Sequence, residues 1–536
     1  MRFRFLPILF LIAVQFSAQW TQAQTSPVGW MDMDATLRNL QLLGQLDPNI
    51  SFAVRPLHYK PGITRRNMTG ATIQDIFNDM DSSGHLFRSI HFDDNKGVLR
   101  LLPTQFTFKN NTHHPYGWND EGMIAAKGAQ TIVSAGVYSR YGPVSIQLQP
   151  QWIRSQNAQF ETNASYGSQV SGLQEKFLLG QTSALLHIGG FATGLSTQNL
   201  WWGPGIYNSM LMSNNAPGFF HYSISSNRPL QSFIGNFQFQ IVSGTLRSDT
   251  TQGYENYGLK KRPLNNERYF NGLAISYQPA FMKNVSFGIT RSFQNYSNYN
   301  PKVFIPQYLP VVSSFFGSAY NDTIGRDQLL SFNTRWIFPK NHAEVYFEFG
   351  YNDAKDNFRD LMVDMSHSSG YIFGFKKLSY LNNMDYIDFG TEVTRMAQTP
   401  SFLMRNAGNF YEHWGVVEGY TNQNQIMGAG SGFGNNMQTA NISWNRAWNK
   451  FGIIFNHISQ NPTQIVTSDI ANLGIRTIKW DDYSFGIQTR YRYRNILFSA
   501  NLEYVNSKNG AGKSSKIEVF IRMQPIPIPS TSTRSS

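Results

Sequence analysis

The residues nearest to a catalytic constellation are Asn456-His457-Ile458-Ser459. In an extended chain, residues two apart share a face, so His457 and Ser459 would stand together as base and nucleophile. Asn472 lies at a plausible distance downstream to orient the base. Four residues match by chance often, and two hydrophilic side chains on one side of a strand explain the element equally well. Catalysis is not expected. Two other stretches point to sugar contact instead. Residues 292–300 (SFQNYSNYN) interleave aromatics with amides, and residues 411–422 (YEHWGVVEGYTN) bring Tyr, His, Trp and Asn together. Aromatic faces stack on sugar rings and amides bond hydroxyls. The plainer reading of both is a wet loop with interfacial aromatics. No metal or cofactor is expected. His113 and His114 are adjacent, and Asp93-Asp94 and Asp481-Asp482 lack calcium-loop spacing. Phosphate-cradling, nucleophile-elbow and zinc-protease motifs are missing.

Composition limits the elements that could position such residues. The chain has 536 residues, with 41 Phe, 26 Tyr and no Cys, and charged residues make up only 15%. An average soluble domain carries about 25% charge. Many aromatics and few charges suit a membrane barrel, with its aromatic girdles, apolar outside and polar inside. The net charge of +12 is spread along the chain, which makes nucleic acid a poor partner. It suits an anionic polymer, with attraction screened by salt.

The first residues read as a secretory signal. Arg2 and Arg4 precede the apolar run 5–16 (FLPILFLIAVQF), and Thr21 and Ala23 set a cleavage site before Gln24. The run is too short to span a bilayer, and no later segment reaches about 18 consecutive apolar residues. From Trp30 to about Phe87 the pattern is helical. Leu37, Leu40, Leu43 and Leu46 recur after Asp34, a candidate N-cap, and residues 72–80 (TIQDIFNDM) form a second short helix. Between them, residues 51–57 (SFAVRPL) read as a short extended piece. So few apolar positions make a poor independent core, so this part should pack on something larger.

From about Lys127 the period becomes two. Residues 144–149, 343–349, 485–493 and 517–522 alternate apolar and polar. In 343–349, Glu344 and Glu348 face away from Val345, Phe347 and Phe349. Short turns at 141–143, 279–284, 339–341 and 448–450 alternate with long polar connections at 248–267, 294–327 and 397–436. Short periplasmic turns and long outer loops are the porin arrangement. About sixteen strands are legible. Closure needs an even number, and 155–235 has room for another hairpin. The expected fold is an all-β, large antiparallel transmembrane β-barrel of 16–18 strands, eighteen favoured.

The most specific block is Asn199-Leu200-Trp201-Trp202-Gly203-Pro204-Gly205, followed by Ser213-Asn214-Asn215-Ala216-Pro217-Gly218. It resembles the hallmark of the Wzi family of capsule-assembly outer-membrane proteins. Residues 136–150, Gly235-Asn236, 344–353, Gly419-Tyr420-Thr421 and Gly428 agree in order, as does an N-terminal helix followed by Arg55-Pro56-Leu57. The resemblance covers nearly the whole mature chain. It implies an eighteen-stranded barrel with a small periplasmic helical bundle. It also implies a lectin that holds capsular polysaccharide at the cell surface, neither enzyme nor exporter. The Asn-His-x-Ser element also occurs in outer-membrane phospholipase A, but that family's flanking glycines and arginine-rich segment are missing here.

The block has a reading of its own. Glycine reaches positive φ and proline fixes φ, so Gly203-Pro204-Gly205 is a backbone device. A constriction or loop inside the barrel is favoured over direct ligand contact. The candidate residues for polysaccharide binding or family motif are Trp201, Trp202, Gly203, Pro204, Gly205, Ser213, Asn214, Asn215 and Tyr420. The expected layout is a signal peptide over 1–23, a periplasmic helical segment over 24–109, the barrel over 110–523 and a disordered tail over 524–536. The expected place is the bacterial outer membrane, as a monomer. The expected partners are capsular or exopolysaccharide, outer-membrane lipid and other capsule-assembly components. The competing function is a diffusion porin or glycan-uptake channel.

Overall fold

In the computed structural model the described residues are 24–26, 28–29, 33–59, 89–94, 96–160, 172–248, 267–297, 326–352, 366–382, 385–398, 409–446, 448–460, 480–493, 496–508 and 513–523. The expected leader over 1–23, the helix at 72–80, Asn472 and the tail at 524–536 lie outside them.

Strand pairing closes a barrel of 18 antiparallel strands. They are β1 (Gly97–Asn111), β2 (Gly128–Tyr141), β3 (Val144–Leu148 and Gln151–Ser155), β4 (Gln174–Leu178 and Ser183–Ile188), β5 (Phe191–Ser196) and β6 (His221–Ser226 and Leu230–Ser232). Then come β7 (Gly235–Leu246), β8 (Arg268–Pro279), β9 (Val285–Tyr296), β10 (Asp327–Phe338), β11 (Ala343–Asn352) and β12 (Ser369–Tyr380). The last six are β13 (Asp385–Arg395), β14 (Asn436–Arg446), β15 (Asn449–Gln460), β16 (Trp480–Tyr493), β17 (Ile496–Lys508) and β18 (Lys513–Met523). β18 pairs with β1 from Lys516↔Asn111 to Met523↔Thr104, which closes the barrel, and Ser89–Phe92 pairs with the start of β1. Pro150 and Pro229 have no N–H to donate, and β3 and β6 are interrupted at these positions. The extra hairpin expected within 155–235 is β4–β5. The wall begins at Gly97, upstream both of the expected barrel start at 110 and of Lys127, where the alternation becomes legible. Pro103 and the irregularity between Leu102 and Gln105 break the alternation of β1, so its first half does not read as strand.

Alternation sorts the side chains. In β11, Glu344 and Glu348 are fully buried while Phe347 is exposed. An exposed apolar row crosses six adjacent strands by direct pairing: Phe389, Ile442, Ile453, Ile487, Leu502 and Ile517. In water such a band would be costly; against lipid it is the required surface. On the inner face a polar chain runs the other way. Thr439 donates to Asn456 at 2.9 Å, Asn456 to Ser484 at 3.1 Å, and Ser484 to Glu503 at 3.0 Å. Lys516 closes it on Glu503 at 3.2 Å. Short turns at one end and long connections at the other match the porin arrangement read from the sequence.

Among the described residues, the chain itself plugs much of the lumen, with a cavity left between residues 47–57 and the wall over 225–240. From the short-turn end enters helix α1 (Met33–Leu42) with the residues that follow it. Leu37, Leu40, Leu46, Ile50, Phe52 and Leu57 pack against Leu102, Tyr138, Trp448 and Leu497. Leu42 and Leu43 pack on Ile337, Leu378 and Tyr386. The leucines seen as one stripe therefore divide between two walls. Asp34 lies within the first helical turn and faces Arg55, so it does not serve as the expected N-cap. Ser51 N donates to Gln238 Oε1 at 2.8 Å, which ties the segment to β7 as well.

Position on the barrel wall sets the cost of a charge. Phe347→Arg, on the outer face midway along β11, should lower folding stability in vesicles by about 2–4 kcal/mol. Ser331→Ala on the inner face should cost clearly less. Denaturant titration of both variants against wild type in the same lipid checks the difference.

Candidate functional site

The stretch 197–220 leaves β5 and returns to β6 through the middle of the lumen. Trp201 and Trp202 are 4% and 0% exposed. Trp201–Trp202 is a two-residue strand that pairs with Val54–Arg55, and Trp202 N donates to Met212 O at 3.1 Å. Gly203 N continues the contact to Ala53 O at 2.9 Å. The block from the wall and the segment from the short-turn end thus share one small sheet.

A buried turn must find partners for its backbone. Here charged side chains supply them. Arg55 donates to the carbonyls of Gly203 at 3.3 Å and Gly205 at 3.0 Å, and Arg38 to that of Pro204 at 2.7 Å. On the amide side, Glu392 of β13 accepts from Ile206 N at 2.8 Å, Tyr207 N at 3.1 Å and Asn208 N at 2.8 Å. Tyr346 OH donates to the same carboxylate at 2.8 Å. Arg38 also bonds Glu344 at 2.6 Å, and Arg335 bonds Glu344 at 2.7 Å. Burial pulls the Arg55 guanidinium down to about 10, and Asp34 at 3.6 Å opposes the fall. Gly203 has φ of 133°, and a Cβ there would stand 2.6 Å from Glu348 Oε2. At Gly205 a Cβ would lie 1.8 Å from Asn208 O. Trp202 donates from Nε1 to Gln240 at 2.7 Å, and its ring occupies the room left by Gly272 of β8.

The second half of the block ties other loops to this turn. Asn199 Nδ2 bonds Asn214 Oδ1 at 2.9 Å, and Asn214 Nδ2 bonds Asn119 O at 3.1 Å. Asn215 Nδ2 bonds Ile426 O at 3.0 Å, and Ser213 N bonds Met427 O at 2.7 Å. Tyr420 is fully buried, stacked on Tyr411 at 6.0 Å, and Tyr411 OH reaches Met210 O at 2.7 Å. Met210, Met212, Phe219, Phe270, Tyr346, Phe410 and Tyr411 belong to the core these loops build inside the barrel. The candidate residues therefore gather in one place, and that place is a plug.

Two other expectations separate. Ser292, Phe293, Gln294, Asn295 and Tyr296 are all buried; Gln294 bonds Gly419 O at 2.9 Å and Tyr296 OH bonds Glu418 at 2.5 Å. Those described residues of the aromatic–amide stretch serve packing and anchoring. At the Asn-His-x-Ser element, Asn456 points inward and His457 outward. The ring nitrogens of His457 face Gln438 at 2.9 Å and Asp481 at 3.2 Å, and Ser459 is not its partner. The carboxylate of Glu392 and the clamp role of Arg38 were not singled out from sequence, and Glu348 was read there only as lying opposite the apolar face. The available signal was a charge inside an alternating strand, which must lie on the wet face.

Loop 112–127 closes the plug's third side. Glu121 N donates to Asn214 O at 2.8 Å, and its carboxylate accepts from Gln151. Withdrawal from water pushes the Glu121 carboxyl up to about 7 from its ordinary 4.5; Gln151 opposes the rise and Asp120 adds to it.

One family model, capsule assembly protein Wzi, matches residues 103–511. Among solved structures, Wzi of Escherichia coli aligns over 92% of this chain and 98% of its own, with 12% identity and a TM-score of 0.61. That protein is described as an outer-membrane protein involved in group 1 capsule assembly and a carbohydrate-binding β-barrel. OccAB1 of Acinetobacter baumannii gives 10% identity and a TM-score of 0.41 over 81% of this chain and 98% of its own. OpdK of Pseudomonas aeruginosa gives 8% and 0.39 over 78% and 98%. Both scores are too low to carry an argument. No curated protein matches the chain.

Glu392→Ala should orphan three buried amides, each worth about 1–3 kcal/mol. The expected result is a lower melting temperature and new protease cleavage within 197–220, where wild type resists. A second outcome concerns pH. Between about 4.5 and 7 the folded loop holds the Glu121 proton and the unfolded loop does not. Stability of loop 112–127 therefore falls as pH rises through that window. Amide exchange corrected for intrinsic rate should be slower at pH 5 than at pH 8, and Glu121→Gln should abolish the difference.

Proposed function

The chain belongs to the Wzi capsule assembly family, and on that footing we propose that it is an outer-membrane lectin that attaches capsular or exopolysaccharide to the cell surface. The observation that carries the reading is the plug across the lumen. α1 and its following residues press on the β1–β2, β10–β13 and β17 walls, while the block spans from Gln240 of β7 to Glu392 of β13. A pore needs a water-filled path. A barrel packed in this way favours work at its outer rim over transport through its middle.

Holding a polymer at the rim does not need a tight single site. A repeating chain presents the same unit many times, and weak contacts multiply through effective concentration. The net charge of +12 adds attraction for an acidic polymer and should make binding sensitive to salt. In this reading Trp201, Trp202, Gly203, Pro204, Gly205, Ser213, Asn214, Asn215 and Tyr420 act as architecture. Buried as they are, they shape the plug and hold the loops above it. No catalytic step is assigned, and the proposed partners remain the polymer and the lipid around the wall.

The competing reading, a diffusion porin or glycan-uptake channel, gives the opposite electrical result. Purified protein in a planar bilayer should show no large stable conductance, and in pull-down it should retain polysaccharide extracted from the producing strain. Retention should weaken with added salt if the polymer is acidic. Stable conductance together with no affinity for that polysaccharide would replace the lectin with a porin.

A further inference from the structure

Within 411–422, the stretch read for sugar contact, Tyr420 is buried and Trp414 is not. Trp414 is 65% exposed, the only large exposed apolar side chain among the described residues 409–435. Isolated exposed apolar residues are common and mean little alone. Here the surrounding backbone is unusual. Tyr411 has φ of 74°, a left-handed conformation that a bulky residue adopts at a cost of about 1–3 kcal/mol. Four bonds hold it there. Its N donates to Asn352 Oδ1 at 3.0 Å and its O accepts from Tyr420 N at 2.9 Å. Its hydroxyl donates to Met210 O at 2.7 Å and accepts from Ala429 N at 2.8 Å. The kink carries residues 412–415 out of the core as a finger, and the chain re-enters it at Val416 and Glu418, both fully buried.

The finger is fixed at its other end and braced inside. Val417 N donates to Tyr296 OH at 3.1 Å, and Arg268 donates to Gly419 O at 3.0 Å. His413 Nδ1 accepts from Gly415 N and Val416 N, both at 3.2 Å, which sets the ring. That ring lies 5.6 Å from the Trp414 ring with an interplanar angle of 36°. Asn352 and Tyr296 lie at the ends of β11 and β9 that lead into the long connections. Both are buried on the inner face, so the finger rises from inside the mouth and not from the lipid wall. An indole held out at the mouth on a strained, doubly anchored finger presents a flat apolar face at low ordering cost.

We propose that residues 412–415 form the tip of a saccharide-binding finger. Trp414 stacks on the apolar face of a pyranose ring of the polymer, and His413 is a positioning residue that sets the indole. This rests on the polysaccharide-holding reading above and adds the place of contact.

The test uses the full-length mature barrel in nanodiscs and polysaccharide purified from the producing strain. Trp414→Ala should weaken affinity about tenfold, the size of one good aromatic contact, with unchanged heat-modifiable migration. Trp414→Tyr should keep most of it. His413→Ala should lose part of the affinity, and His413→Asn should restore it by offering a side-chain oxygen to the same two amides. Failure of wild type to bind the polymer overturns the polysaccharide-holding reading. Wild-type binding with Trp414→Ala within about twofold overturns the finger and leaves that reading standing. If the alanine variant does not fold, Trp414→Tyr and Trp414→Leu decide. Equal affinities for those two overturn stacking, and tighter binding by the tyrosine variant supports it.

Discussion

A backbone turn placed inside a barrel loses water on every side, and its amides and carbonyls must be answered by something else. At Gly203-Pro204-Gly205 the answer is charge. Arginines from the N-terminal segment take the carbonyls, and Glu392 from the wall takes the next three amides. Each partner would be costly to bury alone. Arg55 is paired with Asp34 and Arg38 with Glu344, and Arg335 extends the chain of pairs to β10 and β11, while Glu392 is held by the amides and Tyr346. The turn therefore joins three parts of the molecule that the sequence keeps far apart: the helix at the short-turn end, the loop from β5, and the wall at β13.

From that joint the rest of the plug is determined. Gly272 leaves room for the Trp202 ring, and Val54 enters the same core as Met210, Phe270 and Tyr346. The asparagines of the block then carry the arrangement outward. Asn214 holds Asn119, and Asn215 holds Ile426. The loops nearest the outer rim thus stand on a rigid base, not on a channel. Rigid loops suit a surface that must meet a large polymer, because little ordering is left to be done on contact.

Much of this was legible in the chain. Period-two segments and the alternation of turn lengths gave the barrel, and Glu344 and Glu348 fell on the inner face as their spacing required. The N-terminal leucines announced a segment that had to pack on something larger. What pattern reading missed lay where proline breaks the period, as at Pro103 and Pro150, and where strands are short, as in β4 to β6. The block was read as a backbone device, and its side chains are buried accordingly. Its partners were out of reach, because nothing in the sequence says that Arg55 and Glu392 meet across more than three hundred residues. Exposure within 411–422 was equally hidden, since an alternating pattern does not describe a loop. There Tyr420 is buried and Trp414 is exposed, though both belong to the stretch read for sugar contact.

The clamp on the buried turn is open to direct measurement. Hydrogen exchange of the Ile206, Tyr207 and Asn208 amides can be followed in the folded barrel in lipid, with β13 and β14 amides as reference. If Glu392 holds those three groups in a plugged lumen, they exchange as slowly as the wall strands, over hours or longer. Exchange within seconds, at the rate of an open loop, would contradict the closed plug and the rim-based function built on it.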